Sequence, residues 1–133
     1  MRVMLDANVH ISIALFSTPN MSALLKDIQN NHILVLSDCV LKEVLDTANR
    51  KFPNRLVEMN TYINNLQYEY FNSNYDDPTI YPTIRDYKNV PIFASAIQAQ
   101  VDLFITGDKD FDEVRMDRPR ILKPRQYHDE FMK

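Results

Sequence analysis

Five carboxylates stand where a chain of alternating strands and helices would collect polar chemistry. Asp6 directly follows the apolar run Arg2–Leu5, and Asp108 follows the apolar run Asp102–Thr106 with only Gly107 between. Glu43 lies about one and a half helical turns past the candidate caps Ser37 and Asp38, with Val40 and Val44 at i−3 and i+1. Asp86, with Asn89, comes just before the apolar segment Pro91–Gln100, and Asp110 is two residues beyond Asp108. Carboxylates that converge without partners repel one another and raise each other's pKa. Such a cluster is tolerated when cations occupy it, and oxygen-only ligands select hard ions such as Mg²⁺ or Mn²⁺. Those ions acidify water and stabilise charge on a transferring phosphoryl group.

Each of these residues also has an ordinary structural reading. An Asp after a strand often closes a turn or caps a helix, and Asp108 after Gly107 is a candidate cap for the next helical turn. Glu43 by itself reads as a solvated helix residue. His10, His32 and His128 have no metal-ligand spacing, and Cys39 has no histidine near it in sequence, so it reads as a small buried side chain. The single cysteine permits no internal disulfide and no cysteine zinc site. The single glycine, Gly107, excludes the glycine-rich phosphate loops. A formal net charge of −3 argues weakly against a general nucleic-acid coat protein but not against a nuclease with an acidic metal centre.

The elements that must position these residues are legible from apolar patterning. Strands are expected at Arg2–Leu5, His32–Leu36, Tyr68–Phe71, Asp102–Thr106 and Arg120–Leu122. Helices are expected at Val9–Phe16, Met21–Gln29, Cys39–Lys51, Asn54–Leu66, Pro91–Gln100 and Pro124–Phe131, with a helical turn near Asp110–Val114. Alternation of this kind implies an α/β fold of three layers, α/β/α, around a central, mostly parallel sheet of four to five strands. Functional groups then gather beyond the carboxyl ends of the strands. The 133 residues, 45% hydrophobic and 25% charged, suit one globular domain over 1–133. No apolar run approaches the roughly 20 residues needed to span a bilayer. The N-terminus reaches a carboxylate too early for a signal sequence, so a cytoplasmic location and no membrane partner are expected.

Four stretches together resemble the PIN-domain family, including the toxin components of bacterial toxin–antitoxin pairs. They are Leu5-Asp6-Ala7-Asn8-Val9, Ser37-Asp38-Cys39-Val40-Leu41-Lys42-Glu43-Val44, Arg85-Asp86-Tyr87-Lys88-Asn89-Val90-Pro91-Ile92 and Asp102-Leu103-Phe104-Ile105-Thr106-Gly107-Asp108-Lys109-Asp110. They occur in the family's order across nearly the whole chain, and the Thr-Gly-Asp-Lys-Asp stretch is the most specific. The resemblance implies a PIN-like fold and a metal-dependent endoribonuclease. It implies that Asp6, Glu43 and Asp108 are metal-site carboxylates, that Asn8 and Thr106 are polar supports, and that Asp110 is an accessory acid. Many relatives carry aspartate where this chain has Asn89, and an amide contributes no negative charge. Two expectations follow side by side: Asp86 supplies the missing carboxylate as a catalytic and metal-site residue, or the centre binds metal weakly.

Arg115, Arg118, Arg120, Lys123 and Arg125 form a basic stretch opposed only by Asp117. Such a run is usually a solvated face, but it also suits an RNA backbone beside the acidic centre. Arg115 and Arg118, with Lys88 and Lys109 next to the expected ligands, are the candidate RNA contacts. The leading functional expectation is hydrolysis of RNA phosphodiesters with Mg²⁺ or Mn²⁺. An antitoxin protein is the partner the resemblance implies, and it also allows a homodimer. The competing expectation, favoured by Asn89, is a catalytically weak module of the same fold that binds RNA or a protein. A phosphoacceptor receiver domain is disfavoured, because Asp6 lacks an adjacent acidic partner.

Overall fold

Apolar runs that cannot face water on either side make central strands, and those that end at Asp6 and Gly107 become neighbours. The computed structural model describes residues 1–16, 18–73 and 89–132. In chain order it contains β1 (Arg2–Leu5), α1 (Ala7–Phe16), α2 (Pro19–Asn31), β2 (Ile33–Ser37), α3 (Asp38–Lys51), α4 (Leu56–Asn65), β3 (Glu69–Phe71), α5 (Val90–Gln98), β4 (Leu103–Ile105), β5 (Arg120–Leu122) and α6 (Pro124–Phe131). The sheet has five strands in the order β3-β2-β1-β4-β5, and each of its pairings is parallel. The expected three-layer architecture is therefore present.

Strand alternation divides the core between the two faces of the sheet. Met4, Val35 and Phe104 pack on one face with Val44 of α3 and Phe93 of α5. Val3, Leu5, Leu34 and Ile105 pack on the other with Ile28 of α2 and Tyr127 of α6. Helix α1 contributes to both clusters, Ile11 and Leu15 to the first and Val9 and Ile13 to the second. That division explains why its sequence is apolar all round rather than striped.

Helix starts depart slightly from the expected boundaries, for local reasons. Ser37 caps α3, its Oγ accepting from the Val40 N–H at 3.2 Å, so the helix begins at Asp38. The Asp38 carboxylate turns outward and accepts from the backbone N–H and hydroxyl of Ser73, at 3.0 and 2.6 Å. The helix expected from Asn54 instead begins at Leu56, and Pro53–Arg55 form a 3₁₀ turn. Pro53 has no N–H to give, and the Arg55 guanidinium is held by the Leu15 carbonyl at 2.6 Å.

Helices α1 and α4 meet at one polar contact. His10 is fully buried, and its Nδ1 lies 2.8 Å from the Tyr62 hydroxyl. Whichever tautomer is present, Nε2 is buried without a hydrogen-bond partner among the described residues. Burial pushes the imidazole pKa down from 6.5 to about 4. The unfolded chain therefore takes up this proton first, and stability drains away as pH falls from about 6.5 to about 4. The drop corresponds to about 3 kcal/mol. We expect urea unfolding of the double variant His10→Phe/Tyr62→Phe to gain stability over the native protein on going from pH 7 to pH 4.5. A constant difference between the two proteins across that range would remove His10 as the cause.

Candidate metal centre

The chain leaves β1 for β2 on one side, while β4 lies on the other side of β1. Such a reversal opens a crevice beyond the carboxyl ends of the strands. Asp6 and Asp108 stand at that point. The Asp6 N–H extends the ladder by donating to the Ile105 carbonyl at 2.9 Å.

Thr106 is the hinge between the two acids. It is buried, and its hydroxyl donates to Asp6 Oδ2 at 2.6 Å while accepting from the Asp108 N–H at 3.0 Å. The other Asp6 oxygen, Oδ1, accepts from the Ala7 N–H at 2.7 Å. Asp6 is only 3% exposed, and its carboxyl pKa is raised. Loss of solvation is the largest cause. The Thr106 and Ala7 hydrogen bonds oppose the rise, and the charges of Asp108 and Glu43 add to it.

Asp108 is partly exposed and does two things. Its Oδ1 accepts from the Asp110 N–H at 2.8 Å and so caps the 3₁₀ turn Lys109–Phe111. Its Oδ2 accepts from the Asn89 amide at 3.1 Å. The capping role that Asp108 could have had by sequence is thus real, and it coexists with a place beside Asp6. Asn89, at the head of α5, turns its donor toward the carboxylate, which is the opposite of an aspartate's charge in that place.

Glu43 is exposed on α3, with Oε1 accepting from the Thr47 hydroxyl at 3.2 Å. It borders a cavity with Lys42, Asp46, Pro91 and Ile92, and its charge reaches Asp6. Asn8 is exposed in the first turn of α1, and Lys109 is exposed in the turn that Asp108 caps. Asp86 and Lys88 lie outside the described residues.

The donors that meet here are oxygens, which suits a hard divalent ion. Among the described residues, however, no three Asp, Glu, His or Cys side chains are grouped as a ready-made metal cage. What is present is a buried carboxyl whose ionisation is disfavoured, with two further negative charges within electrostatic reach.

The basic stretch does not form one face. Arg118, just before β5, lies at the amino edge of the sheet, whereas Arg115, earlier in the run, and Lys123, just after β5, lie at the carboxyl edge. Arg118 lies 3.4 Å from Asp102 and donates to the Gln100 carbonyl at 2.8 Å, at the end of the sheet remote from Asp6. It therefore does not join the acidic centre as the sequence suggested. Arg120 is paired with Glu130 at 2.6 Å. Arg115 and Lys123 do reach the site. With Gln126 they line a cavity of about 220 Å³ that opens beside Thr106 and Asp108. Gln126 carried no signal in the sequence, because an exposed amide in a terminal helix has no spacing to betray it.

The model of the PIN domain matches residues 2–110, most of the chain. No curated protein sequence matches it. Among solved structures, a crystal structure of VapBC2 from Rickettsia felis, bound to a DNA fragment from their promoter, superposes with a TM-score of 0.71. It is 15% identical, and the alignment covers 92% of this chain and 98% of that one, so the likeness is one of fold. With the acidic residues at the switch point of a five-stranded parallel sheet, and a family match that spans them, this chain belongs to the PIN-domain family.

Proposed function

We propose that this chain is a metal-dependent endoribonuclease and the toxin component of a toxin–antitoxin pair. The observation that carries the reading is Asp6: a buried carboxyl at the sheet's switch point, with its charged form opposed by burial, Asp108 and Glu43. A bound cation would relieve that opposition. Asp6, Asp108 and Glu43 would hold Mg²⁺ or Mn²⁺, with Asp86 as a further candidate. When bound, the ion polarises the phosphodiester and acidifies water.

This chain's residues do the positioning. Thr106 fixes the direction of the Asp6 carboxylate and, through the same hydroxyl, the backbone of Asp108. Asn89 and the Asp110 N–H hold the two oxygens of Asp108. Burial of Asp6 keeps bulk water from screening its charge. Lys109 and Arg115 are the proposed contacts to the RNA backbone near this edge, together with Lys88. The similarity to a VapBC2 structure supports an antitoxin as protein partner. A homodimer is a further proposed assembly.

A second reading has its own support. Asn89 adds no charge, and its amide occupies an Asp108 oxygen that a cation would use. On that reading the chain is a weak or inactive member that binds RNA or a protein.

Two variants decide between these readings. Because the Asp6 pKa is raised in the folded state, its ionisation costs stability as pH climbs above the unfolded value of 3.8. At pH 7 without metal, Asp6→Asn should therefore melt no lower than the native protein. It should lose the rise in Tm that millimolar Mn²⁺ gives the native chain, and all Mn²⁺-dependent cleavage of single-stranded RNA. Full cleavage by Asp6→Asn would sink the mechanism. Asn89→Asp replaces a hydrogen bond with a carboxylate pair, so the metal-free protein should melt lower. Its Mn²⁺ affinity by calorimetry should rise about tenfold or more, in line with about 1.4 kcal/mol per decade. An unchanged affinity would show that charge at position 89 is not what limits the centre.

A further inference from the structure

The cavity beside Asp108 has a composition that the acidic centre does not explain. Its open lining is mostly polar: beside Thr106, Asp108 and Asp112 it carries Arg115, Lys123 and Gln126, with a smaller apolar part from Phe111, Val114, Ile121 and Leu122. At about 220 Å³ it is smaller than the roughly 300–1,000 Å³ of sites for drug-sized ligands. That is the scale of a single planar ring system with a small polar attachment.

The polar groups at the rim are held but not consumed. Gln126 Oε1 accepts from the Lys123 N–H at 2.7 Å, because a backbone N–H can meet only the amide's oxygen. This bond fixes the amide plane and leaves Nε2 as the donor for a ligand. Arg115 Nη1 is anchored on the Asp112 carbonyl at 2.6 Å and keeps further donors. Lys123 Nζ lies 3.5 Å from Asp112 Oδ1, with both side chains about half exposed, so the pair is weak and readily exchanged.

We propose that this cavity is a nucleotide subsite: it takes one base of the RNA strand, adjoining the phosphate that faces Asp108. The base offers an acceptor to Gln126 Nε2 and rests on the small apolar part of the lining, while Arg115 and Lys123 hold its phosphate. The two cations also answer an electrostatic need, since Asp6, Asp108 and Asp112 alone would repel a polyanion. The placement next to the scissile phosphate rests on the proposed nuclease reading; the binding of a nucleotide does not.

The test uses mononucleotides and no turnover. The metal-free full chain is titrated with each of the four ribonucleoside 5′-monophosphates and, separately, with inorganic phosphate, with backbone amide NMR shifts as the readout. The expected result is a saturable shift at Arg115, Lys123 and Gln126, with at least one nucleotide binding several-fold tighter than phosphate. Gln126→Glu keeps the oxygen that caps α6 and removes the donor. It should weaken nucleotide binding about fivefold or more, as should Arg115→Ala. Nucleotides that bind no tighter than phosphate, or shifts confined to other residues, would overturn the subsite. If that happens while Mn²⁺-dependent cleavage persists, the subsite alone fails. Nucleotide binding in a chain without Mn²⁺ binding or cleavage would retain the subsite and remove the nuclease reading.

Discussion

The parallel pairing of β1 with β4 is the constraint on which the site depends. It aligns Leu5 with Ile105, and one residue further along each strand it brings Asp6 to Thr106 across 100 positions of chain. An isolated carboxylate at this depth would be costly to ionise. Two short hydrogen bonds, from Thr106 and Ala7, reduce that cost without cancelling it, and the pKa remains raised. The fold thus stores an electrostatic imbalance at the switch point between β1 and β4, where the sheet's topology leaves a crevice.

The surrounding packing keeps that imbalance in place. Ser37, the cap of α3, is fully buried and shares a 2.8 Å hydroxyl contact with Ser95 of α5. This ties the helix bearing Glu43 to the helix headed by Asn89. Phe93, Phe104 and Phe111 form a cluster of tilted and edge-on rings with centroids 5.2 to 5.6 Å apart. Phe104 sits in β4 and Phe111 in the turn capped by Asp108, so the cluster holds both ends of the Thr106–Asp108 segment. Asn89 arrives against Asp108 as a donor, which lowers the repulsion that another carboxylate would add at that position. The same substitution that weakens the case for metal stabilises the metal-free arrangement.

Positive charge is distributed by topology rather than by sequence proximity. Between Gly107 and Arg120 the chain must travel from the carboxyl edge of the sheet back to its amino edge to start another parallel strand. The cations nearest the start of β5 are therefore carried away from those at the carboxyl edge, where Arg115 and Lys123 meet. Arg118 and Arg120 are drawn into ion pairs with Asp102 and Glu130, whereas Lys123 emerges again beside Thr106 and Asp108. A run that reads as one basic patch becomes two unrelated surfaces, and only one of them borders the acidic residues.

The sequence by itself determined the element order, the parallel three-layer architecture and the identity of the central strands, because buried parallel strands must be apolar on both faces. It also marked Asp6 and Asp108, since residues that follow central strands have to emerge at one edge, while Thr106 was marked only by the resemblance to the PIN-domain family. Tertiary structure alone decided the rest. Whether Glu43 lies in the crevice or out in solvent depends on the rotation of α3, and the structure leaves it exposed. The direction of the Asn89 amide depends on where Asp108 stands. Isolation of the His10 ring follows from α1 being covered on both sides, and no local pattern records that. The division of the basic run and the cavity lined by Gln126 are products of chain reversal across the sheet. These are contacts between residues far apart in sequence, and no propensity or spacing within a single element encodes them.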